Sequence, residues 1–305
     1  MRAAILSTPG TPVFGQFSSP ESAPGKAVVD VEVAGLNPID LFLAKGATAL
    51  PQVPGREGVG SLDKRRVYFT SAGAPFGSLA EKSIVDPTKV LSVPDSVNSE
   101  LAVALGIAGL TGWLALTSRA KMQRGEHVVV LGSSGAVGTI ALQAAKILGA
   151  GRVIAASRSP DSLAEAQKLG ADATVSLANL DELTERIRDA GKGRLDIILD
   201  TLWGTPALAA LKALSPGGRL IQIGSSAAAS VELNPAFMRM PQSSILGFSG
   251  GSVPHQERSE AYAQLCDHAA RQQIRIDIEK IPLESIQSAW ERQASFPKKK
   301  LVIGI

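Results

Sequence analysis

The chain has 305 residues, of which 45% are hydrophobic and 19% charged, and 31 basic against 28 acidic side chains give a net charge of +3. This composition supplies a core and excludes a disordered chain, and the length predicts about two domains. Lys and Arg are spread along the sequence, which argues against a nucleic-acid-binding face. The single cysteine, Cys266, excludes an intramolecular disulfide and any zinc site built from several cysteines.

The sequence shows no pattern typical of a targeting or membrane segment. The apolar run that precedes Pro9 is too short for a signal peptide. No stretch approaches about 20 continuous apolar residues, the length needed to span a membrane. We therefore expect a cytoplasmic protein without a membrane span.

Residues 1–115 have the composition of a β-rich domain with many turns. Residues 27–34 partly alternate between apolar and polar side chains and predict a strand, and residues 66–69 predict another. Prolines recur at short intervals and favour turns over long helices. The basic run 298–300 is interpreted as solvated, and the apolar strand 300–303 is expected to pair with this domain.

Strands and helices alternate from His127 onward. Residues 127–131 predict a buried strand, and apolar side chains between 136 and 148 recur every three or four positions, as in a helix. Further short strands and helices follow as far as a helix at 256–272. This alternation predicts a doubly wound parallel sheet of the Rossmann type. The chain is thus predicted to be α/β, with a β-rich domain at 1–115, completed by 273–305, and a nucleotide-binding domain at 116–272.

A glycine-rich turn at 132–138 joins the first of these strands to its helix. Gly132 permits a tight turn, Gly135 lets backbone N–H groups approach a phosphate, and Gly138 permits close packing of the helix. The helix N-terminus adds unpaired N–H donors and a positive dipole end. The spacing is not the common G-x-G-x-x-G, but the strand–turn–helix context favours a dinucleotide site. Its expected contacts are Ser134, Gly135, Ala136 and Val137.

The next strand ends in Ser157 and Arg158, without an acidic residue. NAD-preferring sites hold the ribose 2′-hydroxyl here with Asp or Glu, and a carboxylate would repel a 2′-phosphate. Arg158 can pair with that phosphate, and Ser157 can donate a further hydrogen bond. We predict NADPH as the cofactor; the alternative is that Arg158 is an ordinary solvated arginine.

Several short motifs occur in the order and spacing of one family. They include Asn37-Pro38-Ile39-Asp40, Pro54-Gly55-Arg56-Glu57, Leu110-Thr111-Gly112-Trp113 and Asp200-Thr201, together with the glycine turn. Through these motifs the chain resembles, nearly end to end, the zinc-free, quinone-oxidoreductase-like branch of the medium-chain dehydrogenase/reductase superfamily. The resemblance implies a GroES-like catalytic domain in addition to the Rossmann domain, NADPH as the cofactor, and a homodimer.

The resemblance also implies site residues. Asn37 matches the position beside the nicotinamide, where its amide would hold the cofactor ribose or a substrate oxygen; a plain turn cap is the alternative. Thr111 matches a threonine whose hydroxyl reaches the cofactor. Asp40 and Tyr68 are interpreted as structural, so water is expected to deliver the proton. The nicotinamide end would be lined by residues after two later strands, namely Gly224, Ser225, Phe248 and Ser249.

The same positions argue against a metal. Zinc-dependent relatives carry a cysteine where this chain has Asn37 and a histidine where it has Arg56. Their third ligand, another cysteine, would fall near Gly106. The resemblance therefore implies chemistry without zinc.

We predict a zinc-independent, NADPH-dependent reductase that transfers hydride to a quinone or an α,β-unsaturated carbonyl. Such acceptors need orientation and a donor for the developing negative charge rather than a Lewis acid. One alternative is a non-catalytic NADPH-binding redox sensor or accessory protein, in which the glycine turn would look the same. Another is a metal-free ketone or alcohol dehydrogenase, for which the sequence offers no carbonyl activator.

Overall fold

The computed structural model, which describes residues 1–305, begins with a β-rich region. In β3, Val29, Val31 and Val33 are buried and alternate with exposed polar residues, as expected for a strand with one face on a core. A two-residue turn at Asp63 and Lys64, both with positive φ, joins β4 to β5 as a tight hairpin. The elements are β1 (Arg2–Ile5), β2 (Val13–Gln16), β3 (Ala27–Gly35), α1 (Pro38–Lys45), β4 (Glu57–Leu62), β5 (Arg65–Thr70), β6 (Lys82–Val85) and β7 (Leu91–Ser92).

A long helical stretch follows β7, where the sequence analysis expects β structure. It contains α2 (Ser99–Ala104) and α3 (Leu110–Leu114), which are separated by a kink at Gly106, where the backbone is not helical. A π-helical segment, Ala115–Arg119, continues α3. By length and composition residues 99–119 could cross a membrane, but 72% of their most apolar window is buried inside the protein. A helix that is apolar all round is typical of a core helix and has no amphipathic period, which explains why the sequence pattern did not reveal it.

A parallel six-stranded sheet follows. Its strands are β8 (His127–Leu131), β9 (Arg152–Ser157), β10 (Ala173–Ser176), β11 (Ile197–Asp200), β12 (Arg219–Gln222) and β13 (Ser244–Gly247). The spatial order β10-β9-β8-β11-β12-β13 changes direction between β8 and β11, so the predicted doubly wound Rossmann sheet is confirmed. The intervening helices are α4 (Ala136–Ile147), α5 (Pro160–Lys168), α6 (Leu183–Ala190), α7 (Gly204–Ala213) and α8 (Ala236–Arg239).

The remaining elements are α9 (His255–Ala270), β14 (Ile278–Pro282), α10 (Ile286–Ala294) and β15 (Lys300–Gly304). Strand β15 pairs antiparallel with β3 and parallel with β14. The expectation that this strand pairs with the β-rich region is therefore confirmed. It lies inside a seven-stranded sheet of order β14-β15-β3-β4-β5-β7, with β6 also paired to β3.

Contacts divide the chain into two compact units. The first contains residues 1–107, 255–270 and 276–305, and the second contains 108–254 and 271–275. Helix α9 thus lies in the first unit, whereas the sequence analysis assigns it to the nucleotide-binding domain. The reason is its packing, because the ring of Tyr262 stacks on Tyr68 with 5.1 Å between the centroids. Residues 271–275 stay in the second unit, where the Gln143 side chain exchanges two hydrogen bonds of 2.8 and 2.9 Å with the Arg275 backbone.

Candidate active site

The glycine turn lies in the second unit, between β8 and α4. Gly132 has a φ of +80°, and a Cβ there would lie 2.3 Å from the Thr201 hydroxyl oxygen. A Cβ on Gly138 would lie 2.3 Å from the carbonyl oxygen of Gly132. Both positions therefore need glycine for the fold itself, as the sequence analysis predicts for a tight turn and a closely packed helix.

Gly135 differs from these two glycines because the protein leaves the space beside it open. A Cβ there would meet only the Gly132 carbonyl oxygen, at an ordinary 3.7 Å. Its own N–H donates to that oxygen at 3.2 Å, and the first hydrogen bond of α4 runs from Thr139 N–H to Gly135 O at 2.8 Å. The N–H groups of Ala136 and Val137 therefore have no partner in the helix. Open space beside free N–H groups at a helix N-terminus fits a phosphate.

The end of β9 lies at the same edge of the sheet as the glycine turn. Ser157 is buried, whereas Arg158 is exposed and its guanidinium makes no hydrogen bond or ion pair. Strands β8 and β9 are neighbours in register, with Leu131 opposite Ala156. Arg158 therefore lies at the same edge of the sheet as the glycine turn. Its guanidinium is free to pair with a second phosphate group.

Three further predicted positions lie at the ends of β12 and β13. The Gly224 N–H donates to the Asp200 carbonyl at 3.2 Å, and the Phe248 N–H donates to Gln222 O at 2.9 Å. Ser225 is exposed. These turns continue two adjacent strands, so the structure brings them to the same edge of the sheet as the glycine turn.

Thr111 is half-buried on α3, and its hydroxyl makes no hydrogen bond within the protein. This hydroxyl lies 3.7 Å from the position that a Cβ on Gly250 would occupy. Gly250 follows Ser249, which is exposed. The structure thus places Thr111 against the segment that the sequence analysis links to the nicotinamide.

The first unit contains a buried polar group of side chains, here called the Glu57 cluster. Its members are Asn37, Asp40, Glu57, Tyr68 and Lys300, all of which are at most 5% exposed. They come from four elements: Asn37 precedes α1, on which Asp40 lies, and the others lie on β4, β5 and β15. The sequence analysis singled out Asn37 but interpreted Asp40 and Tyr68 as structural.

Glu57 accepts hydrogen bonds at both carboxylate oxygens. Oε1 accepts from Asn37 Nδ2 at 2.8 Å and from Lys300 Nζ at 3.1 Å. Oε2 accepts from the Tyr68 hydroxyl at 2.9 Å and from the Ile107 N–H at 2.6 Å. A buried carboxylate is costly unless it is paired and hydrogen-bonded. Here each carboxylate oxygen accepts two hydrogen bonds, and one of these four bonds comes from the Lys300 ammonium.

Lys300 corrects the interpretation of 298–300 as a solvated run. Its side chain is 3% exposed, and its ammonium donates to Asn37 Oδ1 at 2.6 Å, to Leu36 O at 3.1 Å and to Glu57 Oε1. All three ammonium protons therefore have acceptors. The sequence carried one usable signal, since a lysine that opens an apolar strand inside a sheet must be accommodated by that sheet.

Asp40 is the carboxylate of the cluster in which one oxygen has no hydrogen-bond donor. Its Oδ2 accepts from the Asn37 N–H at 2.8 Å, whereas Oδ1 is buried and has no donor. Burial raises the pKa of Asp40 to about 7, the charge of Glu57 acts in the same direction, and the Asn37 N–H and the Lys300 ammonium oppose the shift. Burial also raises the pKa of Tyr68 well above its usual value, with the Glu57 charge adding to it, so Tyr68 stays a hydrogen-bond donor.

Comparison with known proteins gives consistent matches. The family model described as "Zinc-binding dehydrogenase" matches residues 136–269. A quinone oxidoreductase of Pongo abelii is 26% identical over 254 residues, which cover 79% of this chain and 76% of that protein. The structure of a quinone oxidoreductase of Pseudomonas syringae superposes with a TM-score of 0.89 at 24% identity, over 100% of this chain and 99% of that one. A quinone oxidoreductase of Thermus thermophilus, solved also as its complex with NADPH, gives 0.81 at 28% identity over both whole chains.

These matches confirm the resemblance that the sequence motifs indicate, to the quinone-oxidoreductase-like branch of the medium-chain dehydrogenase/reductase superfamily. The relatives are named as oxidoreductases, and they support an oxidoreductase as the general class of this chain.

A zinc ion, which the family model's description implies, does not fit the residues of this chain. Zinc sites in proteins are built from Cys, His and carboxylate ligands, and no three His, Cys, Asp or Glu side chains are grouped in this protein. At the Glu57 cluster the amide oxygen of Asn37 faces the ammonium of Lys300, and Arg56 is exposed. A fixed positive charge at 2.6 Å from that oxygen opposes a second cation.

Proposed function

We propose that the protein is a zinc-independent, NADPH-dependent reductase of quinones or α,β-unsaturated carbonyls. The observation that carries this proposal is the crevice of the second unit, where free N–H groups of Ala136 and Val137, open space at Gly135 and the unpaired guanidinium of Arg158 follow one sheet edge. The relatives named quinone oxidoreductases, one of them solved with NADPH, support the same assignment.

The residues of the second unit would bind and orient the cofactor. Backbone N–H groups from Ser134 to Val137 would meet the pyrophosphate, and Arg158 with Ser157 would hold the 2′-phosphate. Bound NADPH supplies a hydride. Gly224, Ser225, Phe248 and Ser249 would line its nicotinamide end, and the free Thr111 hydroxyl beside Gly250 would donate or accept a hydrogen bond there.

The Glu57 cluster would provide the contribution of the first unit, with Asn37 as the side chain that meets a ligand. The donor set of that cluster, an amide paired with an ammonium, supports chemistry without a metal. A quinone or enone is already electrophilic, so orientation and hydrogen bonding suffice to direct the hydride. We further propose a cytoplasmic homodimer.

Rapid-mixing oxidation of bound NADPH by a panel of quinones and enones tests the reaction. We expect oxidation by at least one acceptor at a rate independent of added zinc or chelator. Tight NADPH binding without oxidation by any acceptor would instead indicate a sensor or accessory protein. Oxidation of NADPH by simple ketones in the same panel would instead indicate a ketone reductase.

Arg158→Ala tests the cofactor. Loss of charge-assisted hydrogen bonds to a phosphate costs about 1.5–3 kcal/mol, so the Kd for NADPH should rise about 10- to 100-fold while the Kd for NADH stays constant. Fluorescence titration with both coenzymes measures the two values. Arg65→Ala, which removes an exposed arginine from the first unit, controls for the change in net charge. An equal loss of affinity for both coenzymes would show that Arg158 has no role at the 2′-phosphate.

A further inference from the structure

The amide of Asn37 lies between two opposite charges. Its oxygen accepts from the Lys300 ammonium at 2.6 Å, and its nitrogen donates to Glu57 Oε1 at 2.8 Å and to the Gly35 carbonyl at 3.4 Å. Rotating the amide by half a turn would place its NH₂ against the ammonium and its oxygen against the carboxylate. Both contacts would then be repulsive, so the charges permit one orientation only.

This orientation decides what the Asn37 side chain can still bind. Both N–H bonds of the amide point to oxygens of the protein, so neither remains for a ligand. The amide oxygen accepts one hydrogen bond and retains a second lone pair. A ligand group at Asn37 must therefore be a donor, such as a hydroxyl or an amide N–H. The carbonyl oxygen of a quinone or enone, which only accepts, does not fit.

We propose that Lys300 is a positioning residue of the reductase site, which together with Glu57 fixes the Asn37 amide so that only its oxygen is offered to a bound ligand. This inference rests on the proposed function for its kinetic consequences, but not for the orientation of the amide. It makes Asn37 an anchor for a donor group of the ligand and assigns the stabilisation of developing negative charge to other groups.

A structural role alone would give a different pattern of effects. Removing Lys300 leaves Glu57 as an unpaired buried carboxylate, which destabilises a protein strongly whatever the site does. Removing both charges relieves that penalty but still frees the amide to rotate. A double variant therefore separates the stability of the unit from the orientation of Asn37.

The experiment compares Lys300→Met, the double variant Lys300→Met/Glu57→Gln and Lys300→Arg. We expect the thermal midpoint to fall in the single variant and to recover in the double variant. Turnover with a quinone should stay reduced in the double variant by up to about 100-fold, because a misplaced contact has that scale of effect. The Kd for NADPH should change less than kcat, and Lys300→Arg should recover part of the turnover because it keeps the charge and the donors.

Lys82→Met is the matched control, because it breaks an exposed ion pair with Asp30 in the same unit. It should leave turnover unchanged. Recovery of both the midpoint and the turnover in the double variant would overturn the proposal, since Lys300 would then be structural only.

The proposed function and this inference fail in different ways. Absence of NADPH oxidation by the wild-type protein with every acceptor refutes the proposed function. The side-chain amide signals of Asn37 in ¹⁵N-edited NMR report the orientation independently of turnover. Amide signals that are sharp in the wild type but shift and broaden in the double variant support a fixed amide, and identical signals in both proteins refute it.

Discussion

Asp40 carries a buried oxygen, Oδ1, that meets no donor, while its other oxygen accepts the Asn37 N–H. An ionised carboxylate in that position lacks the hydrogen bonds that water would give it, and Glu57 adds a like charge nearby. The pKa of about 7 means that Asp40 divides between its two protonation states near neutral pH. The cluster therefore holds a proton whose occupancy changes near neutral pH.

Asp40→Asn should flatten the pH dependence of stability. The folded-state pKa is raised from 3.8 to about 7, so the unfolded chain releases this proton first and wild-type stability falls as pH rises between about 4 and about 7. Over that window the variant should gain about 2–4 kcal/mol relative to the wild type. Urea unfolding at several pH values measures the difference.

Asp95→Asn, which changes an exposed carboxyl of the same unit, is the control. If the two variants follow parallel curves, the proton on Asp40 is not what makes stability depend on pH.

Asn37 was predictable from the sequence because it lies in a recognisable motif, whereas its partners were not. Glu57 belongs to a motif too, but the sequence does not show which groups meet its carboxylate. Lys300 follows Lys298 and Lys299, and a run of three lysines suggests solvent. Only the pairing of β15 with β3, which no local pattern contains, brings its ammonium to Asn37.

The turn between β8 and α4 contains two kinds of glycine, distinguished by what surrounds them. At Gly138 the protein itself fills the space that a side chain would need, whereas at Gly135 the space is open. The close packing at Gly138 was predictable from the sequence because strand, turn and helix are local, whereas a phosphate at Gly135 stays a prediction. The predicted strand 127–131 coincides with β8, and the predicted helix 136–148 ends one residue beyond α4.

Gly135→Ala and Gly138→Ala should therefore affect different properties, the first NADPH binding and the second stability. Gly135→Ala should change stability by less than about 1 kcal/mol, since the backbone is unstrained there, but should weaken NADPH binding. Gly138→Ala should destabilise the second unit, because its Cβ would overlap the Gly132 carbonyl. Chemical unfolding and NADPH titration of both variants measure the contrast. Unimpaired NADPH binding by Gly135→Ala would contradict a phosphate at this turn.

The two units differ in how they are assembled from the chain. The second is nearly continuous, whereas the first combines three segments, of which β15 belongs to the last. The sequence predicted the parallel sheet from its alternating pattern. It could not place α9, because membership of a unit depends on the stacking of Tyr262 on Tyr68 and not on the helix's own residues.

Ile303→Ala and Ile198→Ala test this division. Both isoleucines are fully buried, Ile303 in the core of the first unit and Ile198 in that of the second, and each substitution should cost about 2–5 kcal/mol. Amide hydrogen exchange should accelerate mainly in the unit that carries the substitution. Equal acceleration throughout both units would show that they unfold together.

Strands β3 and β15 pair with each other, but the whole of the second unit lies between them in the sequence. During synthesis, the segment 108–254 is therefore complete while the sheet of the first unit still lacks an inner strand and Glu57 still lacks its ammonium. Contacts so distant in sequence form slowly, because a long loop must close first. The parallel sheet of the second unit is thus expected to form before the cluster that orients Asn37.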